Sequence, residues 1–352
     1  MKPSTHAGTP IGTYDMNYVF AEHRPDRTAF TLVELLVVMA IIGVLIGLLS
    51  PALQSMRELT RRSNCEQNLV QISLALSSYN LTNGHYPIGT QAKTGPIASE
   101  PKGFHHNWAA AILPMLDSKV IYNAIDQSAS VYSSQNQKVR ELRIPTFICP
   151  SATGIRHNAT CYAGVTGSLE TPIDIDNNGT FILNRKMTDN DITDGLSYTL
   201  FIGEMLSPAS EDLGWMSGTR ASLRDGGHRI NSGLARVRNL QPILDPTYVG
   251  GFESDHPNGA HLLLGSGQYM FRSNSMDQTV LQQMANRSDG ELPAALQSRN
   301  SQILDQPKTP PQDNDGNGTQ DDASAPDTGQ QDKNKVSPTK VDQSTSTSGT
   351  SK

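Results

Sequence analysis

The first pattern in the chain is a long apolar run near its N-terminus. The twenty residues from Phe30 to Leu49 are almost all apolar, Glu34 is the one acid among them, and Pro51 closes the run. At about 1.5 Å per residue, a helix of this length reaches about 30 Å, the thickness of the hydrocarbon core of a bilayer. The run therefore predicts a membrane-spanning helix.

A helical period continues beyond the apolar run. Apolar side chains recur at steps of three and four residues and predict one buried face: Leu53, Met56, Leu59, Leu69, Ile72, Leu76 and Tyr79. We expect the opposite side to carry the polar residues Arg57, Glu58, Arg61, Arg62, Glu66 and Gln67. The helix is predicted to run from about Phe30 to Tyr79 and to end near Gly84. Pro51 either kinks this helix or divides it in two.

Shorter patterns follow the long helix. Residues 84–103 are rich in turn formers and predict an exposed loop. Residues 107–125 have helical spacing that is interrupted at Pro114. Short apolar segments predict strands at residues 143–149, 161–165 and 198–205.

The C-terminal part adds a hairpin and a last helix. A glycine-containing turn between residues 262–264 and 269–271 predicts a β-hairpin. We expect a helix from Met276 to about Asn286, opened by a capping box that begins at Ser275. The predicted fold class is therefore α+β, with one long N-terminal helix packed on an antiparallel sheet.

Composition narrows the function classes. The net charge is -6 and no long basic stripe is available to neutralise phosphates, which argues against a nucleic-acid partner. The chain holds 29 glycines and 21 prolines, and charged residues make up only 18 % of it, which indicates a loop-rich domain outside the membrane. From about Asn300 onwards no aromatic residue occurs and polar residues dominate. Such a segment buries too little apolar surface to offset its ordering entropy and predicts a disordered tail.

Three cysteines, Cys65, Cys149 and Cys161, allow at most one internal disulfide, and a disulfide requires an oxidising compartment. Pairing Cys149 with Cys161 closes the shortest loop, whereas pairing Cys65 with Cys149 ties the long helix to the globular head. The sequence does not choose between these pairs. No cysteine or histidine spacing matches a zinc site.

Glu34 needs a partner, because a carboxylate in a membrane helix costs about 2.5 to 3.5 kcal/mol on insertion scales. The segment from Ala29 to Glu34, AFTLVE, resembles the prepilin processing motif of type IV pilins and type II secretion pseudopilins. The resemblance implies cleavage by prepilin peptidase between Ala29 and Phe30, methylation of the new N-terminus, and pairing of Glu34 with that amine in the same or a neighbouring subunit. Pro51 stands where pilin helices often carry a proline. Ala29 replaces the usual glycine.

The same resemblance places the chain in the cytoplasmic membrane as a single-pass protein, with its N-terminus inside and its head in the periplasm or extracytoplasmic space. Charge does not decide the orientation, because basic residues lie on both sides of the apolar run. The predicted parts are a leader (1–29), a transmembrane and polymerisation helix (30–50), an amphipathic stalk (51–83), an α+β head (84–295) and a disordered tail (296–352).

A second resemblance covers most of the folded chain. Its matching stretches are residues 61–69, 112–114, 147–151, 162–165, 191–200, 203–204 and 256–260. They are similar to a family of prepilin-like proteins that is expanded in planctomycete-type bacteria and has a domain of unknown function with an H-x9-D-G signature. In this chain the signature reads His256, Ser266 and Gly267, so Ser266 replaces the Asp. Either that Asp pairs with the histidine or a processing factor, or it shapes a hairpin turn, which Ser also supports. We favour the turn.

Few residues suggest other chemistry. Asp174, Asp176 and Asn178 have the oxygen-rich look of a calcium loop, but Arg185 stands where an EF-hand needs its twelfth, acidic residue. We therefore expect a solvated turn and no cofactor, with calcium as the alternative. His256 and His261 belong to no known catalytic motif, and no catalytic residues are predicted.

The sequence thus predicts a structural protein, not an enzyme: a pilin-like subunit in a type II secretion or type IV pilus-like system. Its expected partners are prepilin peptidase, other pilin-like subunits and the cytoplasmic membrane. The alternative is a membrane-tethered module that is processed in the same way but never polymerises, and whose head binds a glycan, a peptide or calcium.

Overall fold

The computed structural model describes residues 31–239, 241 and 243–291. Helix α1, Leu32–Asn83, spans the apolar run and the stalk and continues through Pro51 without a break in its helical assignment. Its N-cap is Thr31, whose side chain accepts a hydrogen bond from the Glu34 N–H. It ends at Gly84, which adopts a left-handed conformation with φ 75°. The predicted leader and tail lie outside the described residues.

The buried face of α1 differs from the prediction. Cys65, Leu69, Ile72 and Leu76 are buried, but Leu53, Met56 and Leu59 are exposed. Met56 precedes Cys65 by nine residues, about 2.5 turns, so the two side chains lie on opposite sides of the helix. The expectation that Glu58, Arg62 and Glu66 lie opposite the buried face was also wrong, because each of them contacts the head.

The head also contains short helices. They are α2 (Trp108–Ala111), α3 (Lys119–Asn123), α4 (Gln137–Arg140), α5 (Leu234–Arg238) and α6 (Gln278–Ala285), with 3-10 turns at Leu113–Met115, Pro145–Phe147 and Asp189–Asp191. The strand predicted over residues 143–149 is wrong. Pro145 opens a 3-10 turn there, since proline supplies no N–H to a strand ladder. Helix α6 starts later than predicted and is capped by Asp277, not by Ser275.

In the part of the chain that the structure describes, five strands form one sheet: β1 (Tyr162–Val165), β2 (Leu200–Glu204), β3 (Leu223–Arg224), β4 (Gly259–Leu264) and β5 (Tyr269–Ser273). Their order is β3-β1-β2-β4-β5. The predicted α+β class and the hairpin of β4 and β5 are confirmed. The sheet is mixed, because the two-residue strand β3 joins β1 in parallel while the other pairs are antiparallel.

The sheet has a packed cluster on each face. On one face, α1 packs against the head through Leu69 and Ile72, in a cluster that also contains the fully buried Trp108 and Trp215. On the other face, Leu281 and the rest of the buried side of α6 pack against the sheet. Successive side chains of β4 point alternately into the two clusters, as expected for a strand in a sheet that is buried on both faces. The stalk end of α1 is therefore an integral layer of the head.

Candidate functional site

The first candidate site is the N-terminal part of α1. From Leu32 to Ser50 the helix has a mean hydropathy of 2.9, and none of this segment is buried against the head. Every side chain from Thr31 to Ser50 is exposed. Apolar surface of this extent marks a segment that meets lipid or other apolar helices. Length and composition thus suit a membrane span.

Glu34 takes part in the N-terminal cap of this helix. Its carboxylate Oε2 accepts hydrogen bonds from the backbone N–H and the hydroxyl of Thr31, each at 2.9 Å. The Thr31 hydroxyl in turn accepts from the Glu34 N–H at 3.3 Å. This capping box holds the carboxylate beside the first residue of the described chain. Ala29 and Phe30, the predicted cleavage site, lie outside the described residues.

The second candidate site is the seam where α1 meets the head. The structure joins Cys65 of α1 to Cys149 of the head in a disulfide, with their Cα atoms 5.3 Å apart. Cys161 remains a buried free thiol. Burial raises the pKa of the Cys161 thiol to about 12, which keeps it protonated and unreactive. Of the two pairings left open by the sequence, the one that ties the helix to the head is therefore present.

His256 lies beside this disulfide with a fully buried side chain. Its Nδ1 is 2.6 Å from Glu58 Oε1 on α1, and its Nε2 is 3.4 Å from Glu204 Oε1 on β2. The same Nε2 is 3.3 Å from the Sγ of Cys149. The signature histidine thus bridges a carboxylate of the stalk and a carboxylate of the sheet.

His261 on β4 also bridges a carboxylate of α1 and the carboxylate of Glu204. Its Nδ1 is 3.2 Å from Glu204 Oε2, and its Nε2 is 3.3 Å from Glu66 Oε1 on α1. The His261 backbone N–H also donates to Glu204 at 2.8 Å. We call Glu58, Glu66, Glu204, His256 and His261 the seam cluster.

Contacts within the seam cluster shift the pKa values of Glu204 and His256. Burial by itself raises the pKa of Glu204, but contacts with His256 and His261 outweigh burial and lower that pKa to about 2. Burial lowers the pKa of His256, but Glu204 and Glu58 outweigh it and raise that pKa. Glu204 is therefore ionised, and His256 favours its charged form. The cluster therefore links helix and sheet through the buried ion pair of His256 with Glu204 and through the contacts of His261 with Glu204 and Glu66.

This geometry suits a structural joint better than catalysis. The two imidazoles are fully buried between carboxylates. Cys65, Cys149, Glu204 and His256 bring four donor atoms within 4.8 Å of one another, a set that resembles a metal site. However, cysteine binds a metal as the thiolate, and here the two sulfurs are bonded to each other.

The other signature residues lie in the hairpin turn. Ser266 donates its backbone N–H to the carbonyl of Leu196, and Gly267 has a φ of 88° between β4 and β5. The contacts of His256 are with Glu58, Glu204 and the disulfide. The favoured turn interpretation of Ser266 agrees with this placement.

The calcium-like loop is built from turn hydrogen bonds. Asp174 Oδ1 accepts from the Ile175 N–H at 2.7 Å, and Asn178 Oδ1 accepts from the Ser168 N–H at 2.9 Å. Asp176 is exposed. One carboxylate oxygen of Asp174 and the side-chain oxygen of Asn178 thus accept hydrogen bonds from backbone N–H groups. A solvated turn, with calcium binding as the alternative, stays a prediction.

Comparison with known proteins identifies the head. A family described as "Protein of unknown function (DUF1559)" matches residues 54–279, well over half of the chain. The chain belongs to the DUF1559 family. The seam cluster and the disulfide lie wholly within the matched range. The N-terminal part, residues 24–50, matches the prokaryotic N-terminal methylation motif. Both resemblances found in the sequence are thereby confirmed.

Curated relatives of this DUF1559 protein are named type II secretion system core protein G. The protein from Klebsiella pneumoniae is 39 % identical over 78 residues, which are 21 % of this chain and 56 % of the relative. The protein from Escherichia coli (strain K12) is 40 % identical over 65 residues, 18 % of this chain and 45 % of the relative. The chain spans about half the length of these relatives. No solved structure matches this chain.

Sequence reasoning missed most of the seam cluster. Glu58 precedes Cys65 by seven residues, about two turns, and so shares its face of α1. Glu204 ends an otherwise apolar segment that the sequence already predicts as a strand. An acid in such a strand signals a buried partner. These two features could have indicated that Glu58 and Glu204 are buried against a partner. Neither feature identifies His256 and His261 as that partner.

Proposed function

We propose that this protein is a pilin-like subunit, a pseudopilin, of a type II secretion or type IV pilus-like assembly. The observation that carries the proposal is the methylation motif at residues 24–50, together with the apolar part of α1, in which every side chain from Thr31 to Ser50 is exposed. The likeness to type II secretion core protein G supports it. The role is structural, and its mechanism is the packing of helices.

The exposed part of α1 supports a single span of the cytoplasmic membrane. Its 19 residues from Leu32 to Ser50 reach about 28 Å at 1.5 Å per residue, close to the hydrocarbon thickness of a bilayer. Gly43 and Gly47 are four residues apart and have open space around them, so a neighbouring helix can approach closely. The N-terminus is inside, and the head faces the extracytoplasmic space.

Glu34 supplies the pairing step. In the uncleaved chain its carboxylate caps the helix through Thr31. Cleavage by prepilin peptidase between Ala29 and Phe30 creates a positive amine at Phe30, four residues before Glu34. In the apolar surroundings of a helix bundle, this amine in the same or a neighbouring subunit offsets the cost of the buried carboxylate.

The seam gives the head a fixed position on the packed helices. The disulfide and the seam cluster tie the sheet to the stalk between Glu58 and Glu66. When the apolar parts of several α1 helices bundle, each head is therefore carried outward in a defined orientation.

Processing is tested by the N-terminal mass of the protein recovered from membranes, with and without prepilin peptidase. We expect a peptide that begins at N-methylated Phe30 and disappears when the peptidase is absent. Ala29→Gly, which restores the usual residue, should be cut at least as completely, whereas Ala29→Leu should stay uncut because the motif requires a small residue there. An intact Met1 in the presence of the peptidase would reduce the chain to an anchored ectodomain.

Assembly is tested by Glu34→Gln. Removing the charge removes the partner of the N-terminal amine, so the ladder of multimers formed by crosslinking in cells should disappear while the protein still resists extraction from membranes. Glu141→Gln is the matched control, because Glu141 is exposed on the head and its loss should leave the ladder intact. A ladder of multimers that persists in Glu34→Gln would contradict the pairing of Glu34 with the N-terminal amine. A wild-type chain that crosslinks only as a monomer would favour the non-polymerising module.

A further inference from the structure

A second polar cluster lies at the parallel edge of the sheet, where β1 pairs with β3. Strands β1 and β3 run in parallel and end together, with Val165 opposite Arg224. Asp225 follows β3 directly, His228 comes three residues later, and Glu170 lies in the loop after β1. The topology thus gathers these three side chains, which we call the edge triad, beyond the carboxyl ends of two parallel strands.

The side chains of the edge triad converge. One donor atom from each, two carboxylate oxygens and an imidazole nitrogen, lie within 4.8 Å of one another. Glu170 Oε2 is 2.9 Å from His228 Nε2. Asp225 is fully buried, and among the residues that the structure describes its Oδ2 has no hydrogen-bond partner. A buried carboxylate oxygen without a partner is costly and calls for a proton or a cation.

The surrounding backbone holds the triad in place. Glu170 accepts from the N–H groups of Val249 and Gly250, both at 2.8 Å. Asp225 Oδ1 accepts from the Gly227 N–H at 2.8 Å. The ring of Tyr248 lies 5.6 Å from the His228 ring, and its hydroxyl is 3.3 Å from His228 Nε2. Such supporting contacts orient the ligands of a metal centre.

We propose that the edge triad binds one divalent transition-metal ion, with Glu170, Asp225 and His228 as its ligands. The imidazole favours zinc or a similar ion over calcium or magnesium, which prefer sites made of oxygen alone. Ligands of a tetrahedral zinc ion at 2.0–2.2 Å lie about 3.4 Å apart. The Glu170–His228 pair, now 2.9 Å apart, must therefore open slightly on binding, and the other separations, all within 4.8 Å, must adjust to the same spacing. Glu170 and His228 are partly exposed, which leaves a fourth position open to solvent.

The test uses the full-length protein in detergent, stripped of metal with a chelator and then titrated with zinc chloride. We expect one zinc ion per chain in competition with a chromophoric chelator. At zinc about 100-fold above its Kd, we expect the unfolding temperature to rise by about 5 °C. Asp225→Asn and His228→Gln should each weaken zinc binding at least about tenfold and abolish the rise.

Asp174→Asn is the matched control, because it makes the same change in the calcium-like loop and should keep the full response to zinc. Asp225→Asn preserves side-chain volume and can donate to Glu170, so we expect it to fold; if it unfolds early without zinc, His228→Gln carries the test. The proposal is overturned if wild type shows no zinc response, or if the response survives in the triad variants. A response to calcium alone that is lost in Asp174→Asn would also overturn it and move the site to the loop.

Discussion

Replacing Cys65 and Cys149 together with alanine is expected to lower the free energy of unfolding of the head by about 4 kcal/mol. The disulfide joins residues 84 positions apart, and closing a loop of this length restricts the unfolded chain by about that amount. The loss is a large part of the 5 to 15 kcal/mol typical of a domain. Urea unfolding of the full-length protein in detergent measures it, with fluorescence of the buried Trp108 and Trp215 as the signal.

Cys161→Ala is the control for this experiment. It removes a buried sulfur of the same kind but no crosslink, so we expect a cost of only about 1 kcal/mol. Reducing the wild-type disulfide should reproduce the double variant, and adding reductant to the double variant should change nothing. Equal urea midpoints for the double variant and Cys161→Ala would show that the crosslink contributes no stability.

Glu204→Gln is expected to lower the free energy of unfolding by about 3 kcal/mol at pH 6. The carboxylate is buried between two imidazoles, and breaking a buried ion pair by removing one partner typically costs about 3 to 5 kcal/mol. Lowering its pKa from 4.5 to about 2 corresponds to a similar figure, at about 1.4 kcal/mol per unit. Glu141→Gln, the same change on the exposed surface, should shift the urea midpoint very little.

The pH dependence of this loss identifies the groups responsible. Because the folded pKa of Glu204 is lowered, its contribution is present above about pH 4.5 and is lost as the pH falls towards 2. Because the folded pKa of His256 is raised, its contribution is present below about pH 6.5 and is lost as the pH rises through that raised pKa. The gap between wild type and Glu204→Gln should therefore be widest between about pH 4.5 and 6.5. A gap that stays constant from pH 3 to 9 would contradict the ion-pair description.

The sequence predicted the elements whose signal is local. Helix α1 follows from an apolar run and a continuing helical period, and its end follows from Gly84, since glycine readily adopts the left-handed conformation found there. The β4–β5 hairpin follows from two apolar segments around a glycine turn. The strand expected over residues 143–149 failed because apolar character outweighed Pro145 in the prediction, whereas the missing N–H of proline decides the structure.

The faces of α1 show where periodicity stops being sufficient. Leu59 and Leu69 both fit a three- or four-residue step, yet only Leu69 meets the head. A helical pattern gives relative positions on a cylinder, but it does not say where the head begins or which side it covers. For the same reason, Glu58 and Glu66 looked like solvent-facing charges although each lies against a buried histidine.

The amino-acid sequence by itself thus determined the long apolar helix, the N-terminal methylation motif, the α+β class and the family, because each depends on residues close together in the chain. The tertiary structure alone decided which cysteines pair, which carboxylates hold His256 and His261, and which three side chains meet at the parallel edge. These contacts join residues tens to hundreds of positions apart. They depend on strand register and on how the helix docks, and no local pattern encodes the distance between two such side chains.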